Sequence, residues 1–164
     1  KNRIDEHHIM TFYYKFASLY FGVGDNEKCI FYLNKIITNR SLSMREDLLC
    51  FSRILHLVAH YEAGYDYHIE TLLRSTYKFL LKMNDLHEVQ KEMIKFIRNL
   101  QNIYPHEIKK AFKELHIKLS SYEEDPYESR AFLYLDILSW LESNIEGKPI
   151  GQVIRDKFLA KNAI

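Results

Sequence analysis

Four helix breakers recur along this chain at nearly constant spacing. Gly24, Gly64, Pro105 and Gly147 each interrupt a helical pattern, and their separations are 40, 41 and 42 residues. A second set of breaks falls between them, at Ser41 to Ser43, Asn84 to Asp85, and Asp125 to Pro126. This punctuation predicts about eight helices of roughly 12 to 20 residues, paired by short turns into four antiparallel hairpins. Self-similarity at that period is the signature of an α-solenoid, in which each hairpin buries its apolar face against the next.

The individual helices follow from periodicity and capping chemistry. Leu86, Val89, Met93, Phe96, Ile97, Leu100 and Tyr104 keep an i, i+3, i+4 rhythm, as do Ile69, Leu72, Leu73, Thr76, Tyr77 and Leu80 one helix earlier. Ser43 and Glu46 have the spacing of a capping box, in which each side chain satisfies a backbone N–H near the other. Asp25, Asp85 and Asp125 stand where a carboxylate accepts from the free N–H groups of a helix start. Pro149 suits the first turn of a last helix carrying Val153, Ile154 and Phe158. The segments Leu48 to Tyr61 and Ala131 to Leu141 are apolar almost all round, which predicts helices covered on more than one side. No segment alternates with a period of two, so no strand competes.

Composition narrows the function. Twenty-three Lys and Arg stand against 22 Asp and Glu, so net charge gives no reason to expect a nucleic acid or an anionic membrane as partner. No apolar run reaches the roughly 18 residues of a membrane span. Cys29 and Cys50 lie in apolar helical surroundings and read as buried free thiols, which fits a reducing, cytoplasmic setting. The chain opens at Lys1 within a helical pattern. It reads as one domain over residues 1–164, belonging to a longer protein.

In the first hairpin, Tyr13, Phe16, Ala17, Tyr20, Gly24, Cys29, Leu33 and Ile36 follow a pattern of large, large, small, aromatic, turn glycine, small, large and small. That pattern resembles a tetratricopeptide repeat (TPR). Gly64, Ile69 and Leu73 keep matching offsets in the second hairpin, with Leu57 where a small residue belongs. Later hairpins keep only the helix-turn-helix plan, and the period exceeds the family's usual length of about 34 residues. The runs HLVAHYEAG (56–64), RSTYKFL (74–80) and SWLES (139–143) are similar to those of bacterial TPR-like helical proteins of uncharacterised function. The resemblance implies a right-handed stack of hairpins.

The constellations that could carry chemistry are few. His56 and His60, four residues apart on one helical face, are the nearest approach to a metal pair, but Leu57 stands where a zinc protease motif needs its general-base Glu. No nucleophile elbow, phosphate-binding Gly loop or Cys–His arrangement occurs. Glu88 with Lys91 and Glu92 with Lys95 have the i, i+3 spacing of solvated surface pairs. These absences lead to an expectation of no enzyme, no cofactor and no metal.

What remains is the aromatic content, with 12 Tyr and 10 Phe. Tyr is a good anchor at the edge of a groove, because it offers large area at small entropic cost. In the TPR register the inner faces of the first two hairpins would carry Tyr14, Ser18 and Phe21, then Ile54, Val58 and Tyr61. The expected function is a non-enzymatic scaffold module whose aromatic and apolar groove binds a protein or peptide, or a second copy of itself. Two alternatives stand beside it: a structural or capping segment of a longer repeat protein, and a ligand-responsive regulatory sensor.

Overall fold

Gly24, Gly64 and Gly147 have φ of 83°, 75° and 66°. This left-handed region penalises any Cβ, and a helix ends just before each of the three. The structure is a computed structural model and describes residues 5–39, 46–83, 87–100 and 102–163. Among them are nine α-helices: α1 (Glu6–Gly22), α2 (Asn26–Ile37), α3 (Glu46–Glu62), α4 (Asp66–Leu80), α5 (Glu88–Leu100), α6 (Ile108–Ser120), α7 (Ala131–Tyr134), α8 (Ile137–Glu146) and α9 (Ile150–Asn162). Two 3-10 turns, Pro105–Glu107 and Glu128–Arg130, precede α6 and α7, and no strand occurs among the described residues.

The all-helical expectation is met, and the helix boundaries respect the predicted breaks at Gly24, Gly64, Pro105, Asp125–Pro126 and Gly147; those at Ser41–Ser43 and Asn84–Asp85 lie outside the described residues. The ninth helix is a departure. Ala131 to Leu141 is not one helix, because Leu135 is extended (φ −139°, ψ 124°) and Asp136 starts α8 by accepting from the Ser139 N–H at 3.1 Å. An Asp so placed caps a new helix better than it continues an old one. Asp25 caps α2 as predicted, accepting from the Lys28 N–H at 3.0 Å. Asp125 caps the second 3-10 turn, accepting from the N–H groups of Tyr127 and Glu128. The Ser43–Glu46 box and the Asp85 cap lie outside the described residues. Tyr104, read as the end of the α5 rhythm, falls beyond that helix and is exposed.

The helices group into two compact units, α1 to α4 and α5 to α9, with the short stretch Gly22–Gly24 counted with the second. In the first, α2 packs against α3 and α3 against α4. Ala17, Cys29, Leu33, Ile36, Leu55 and Val58 are among its fully buried side chains. The guanidinium of Arg53 on α3 lies over the Phe79 ring of α4, 4.3 Å from its centroid. The second unit is built on an aromatic ladder. The Phe96 and Phe112 rings meet edge-to-face at 4.9 Å, and Phe112 meets Trp140 at 5.5 Å, which ties α5, α6 and α8 together.

Candidate interaction surface

Helix α1 is apolar on two opposite sides. Met10, Tyr14, Ala17 and Phe21 form its buried stripe, while Phe12, Phe16 and Leu19 form a second stripe on the far side, within a sector of about 60°. Tyr14 and Phe21 are 6% and 4% exposed, against 53% and 63% for Phe12 and Leu19. Isolated exposed hydrophobes are ordinary, but three on one helical stripe make a continuous patch.

Helix α2 extends that patch with rings and cations. Tyr32 sits at the centre of a cluster: its ring stacks on Tyr20 at 5.7 Å, lies 5.4 Å from Phe16 and 6.1 Å from Tyr13, and meets Phe31 edge-on at 5.2 Å. Lys28, Phe31 and Lys35 share a stripe of α2. Lys28 Nζ lies 5.2 Å from the Tyr20 ring centroid, and Lys35 Nζ lies 4.8 Å from Phe31 and 5.7 Å from Tyr13. On α1, Lys15 Nζ lies 5.8 Å from the Phe12 ring. These separations are within cation–π range and hold the ammonium groups against the aromatic surface.

The six residues expected to line a groove lie elsewhere. Tyr14, Phe21, Ile54 and Val58 are core side chains. Ser18 and Tyr61 are half-buried, and the Ser18 hydroxyl is buried with no hydrogen-bond partner among the described residues. Four of the six are therefore interior side chains and not the lining of an open groove. For Tyr14 and Phe21 the cause is the register of α1: with apolar residues on both sides, its sequence does not distinguish the inner side from the outer. The missed residues are those of the outer stripe. The step of four and three residues from Phe12 to Leu19 was the available signal.

His56 and His60 do come together, with ring centroids 4.3 Å apart. His60 Nδ1–H donates to the His56 carbonyl at 2.7 Å, and His56 Nε2 meets Asn34 Oδ1 of α2 at 2.9 Å. Burial, reinforced by the charges of His60 and Arg53, pushes His56 down to about 3, and burial also lowers His60. Both rings are therefore neutral near pH 7 and occupied in holding helices. Among the described residues no group of three His, Cys, Asp or Glu could hold a metal ion.

The second unit holds the densest polar network. Glu142 accepts from Lys157 at 2.6 Å and meets His116 Nε2 at 2.9 Å. Lys157 also reaches Ser139 Oγ at 3.0 Å, and that hydroxyl donates to Asp136 at 2.7 Å. A Ser between a Lys and an Asp has the ingredients of a nucleophile. Ser139 is fully buried, however, so its Oγ has no approach for a substrate, and the network serves to fix α9 and α6 on α8. Between α5 and α6 lies an open cleft of about 250 Å³ floored by Phe96, Ala111 and Leu115. At its rim Glu92 is already held by Lys118 at 2.9 Å and Lys95 at 3.6 Å.

Both thiols are buried and free, as expected, with burial pushing each up to about 12. No helix among the described residues is long and apolar enough to cross a membrane. No protein-family model matches the chain, and no similar protein is found among curated proteins or solved structures.

Proposed function

We propose that the chain is a non-enzymatic docking module whose working surface is the outer face of the first hairpin. The observation that carries this reading is the exposed stripe of Phe12, Phe16 and Leu19, continued by Phe31 and ringed by lysines. Exposed aromatic and apolar area of this kind is the raw material of interface hot spots. Polar clusters elsewhere are buried or self-paired, which leaves this hairpin as the surface best equipped for recognition. The TPR-like reading gives it a place: in a stack of hairpins, one helix of each pair covers the next, as α2 covers α3. The partner is a protein or peptide.

A photo-reactive residue at Leu19, compared with one at the exposed Lys82 in the turn after α4, tests this in the source cells. The reading expects discrete cross-links from position 19, lost when Phe16→Glu is added, and none from position 82. Equal or absent cross-linking at the two positions contradicts it.

The same stripe favours a second reading, a structural segment that stacks on another hairpin of a longer repeat protein. In that case the position 19 cross-link forms within one polypeptide, and its mass is that of the full-length chain alone.

A further inference from the structure

The occupant of the outer α1 face is legible from two features of the first unit, and the inference rests on the docking reading above. One is internal precedent. Gly24 and Gly64 lie 40 residues apart, so Phe16 has His56 as its counterpart on α3, and Phe12 and Leu19 have Ser52 and Ala59. On α3 this face is covered: Ser52 and Ala59 are fully buried, and His56 meets Asn34 of α2. A helix covers α3 there, and the equivalent face of α1 is exposed. Its apolar residues Phe12, Phe16 and Leu19, at steps of four and three, also form the seam that accepts a helix laid alongside.

The other feature is charge. Three lysines flank the seam, each held against an aromatic ring. Lys28 has Asp25 at 3.7 Å, whereas Lys15 and Lys35 have no carboxylate within ion-pair distance among the described residues. Cations fixed on an apolar surface are complemented by carboxylates on whatever covers it. A single-stranded nucleic acid also likes rings and cations. Yet the outer stripe is aliphatic at Leu19, with no base-stacking plane there.

We infer that the outer face of the first hairpin docks an amphipathic helix with acidic flanks. Its apolar ridge lies along Phe12, Phe16 and Leu19, and its carboxylates reach Lys15 and Lys35.

The test uses the intact chain and two fluorescent synthetic helical peptides read by anisotropy. Both carry leucines at steps of four, three and four, one with glutamates at the flanking positions and the other with lysines. The glutamate peptide is expected to bind about tenfold more tightly. In the Lys15→Glu/Lys35→Glu variant, both substitutions being at exposed positions, the preference is expected to reverse. Equal binding of both peptides, lost in Phe16→Glu, overturns the acidic assignment and leaves helical docking standing. No binding of either peptide overturns the helical occupant. Tighter binding of oligouridylate than of the glutamate peptide assigns the face to nucleic acid and overturns it as well. A dimer of the chain alone in sedimentation, dissociated by Leu19→Glu, makes the occupant a second copy and likewise overturns it.

Discussion

The Glu128 carboxylate closes on the backbone of Val89, 39 residues earlier in the chain, with Oε2 accepting from the Val89 N–H at 3.3 Å. Its Oε1 accepts from the Glu88 N–H at 3.1 Å, and the His87 ring lies 3.6 Å from Oε2 while stacking on Tyr127. The start of α5 is thus capped by a side chain from the 3-10 turn that follows α6, and a carboxylate at a helix N-terminus is also favoured by the helix dipole. Glu128 is itself buried, so the arrangement is a fastening inside the second unit.

Glu128→Ala leaves the N–H groups of Glu88 and Val89 without their acceptor. The expected loss is about 2–3 kcal/mol of unfolding free energy, with Glu128→Gln costing less because one acceptor oxygen survives. Denaturant unfolding followed by fluorescence of Trp140, the only tryptophan in the chain and a buried residue of the second unit, measures this directly. Equal midpoints for all three proteins would show that the cap contributes nothing.

The pH dependence of the first unit should carry the mark of His56. Its folded value is pushed down to about 3, whereas a histidine in the unfolded chain titrates near 6.5. Between those values the unfolded state takes up a proton that the folded state refuses. Stability is therefore full above about pH 6.5 and falls as pH drops toward 3, at no more than about 1.4 kcal/mol per pH unit for this site. His60, lowered by the same burial, acts in the same direction. His56→Gln keeps a polar group near Asn34 and should flatten the acid limb of a melting-temperature profile; an unchanged limb refutes the assignment.

Cys29 and Cys50 should be inert in the native protein. Burial is the main reason both thiols sit near 12, with nearby carboxylates adding to it, so little thiolate exists at neutral pH. A disulfide reagent is expected to react with neither under native conditions and with both in denaturant. Rapid native labelling of either one would place it at the surface.

Much of the architecture was readable because glycine and proline act locally. Gly24, Gly64 and Gly147 stop helices through their own φ angles, whatever surrounds them. The caps of Asp25 and Asp125 are likewise reached within three residues. Asp136 was legible in principle as a cap, but the apolar residues on both sides of it suggested continuity. Glu128 could not be read at all, because its partners are set by tertiary packing nearly forty residues away. The interaction surface was half legible. Aromatic excess pointed to the first two hairpins, of which the first carries the exposed stripe. The choice between Tyr14 and Phe16 as the outward residue depended on the direction from which α1 is covered, which a helix apolar on both sides does not encode.

The central claim is that α1 has one structural face and one spare face, and comparative unfolding of two variants tests it most directly. Phe12→Glu/Leu19→Glu alters only the outer stripe and should leave unfolding free energy within about 0.5 kcal/mol per site of the parent. Tyr14→Ala removes a ring from the core and should cost about 3–5 kcal/mol. The opposite ranking, with the double glutamate variant unfolded and Tyr14→Ala tolerated, would mean that the outer stripe is interior and that the docking surface lies elsewhere.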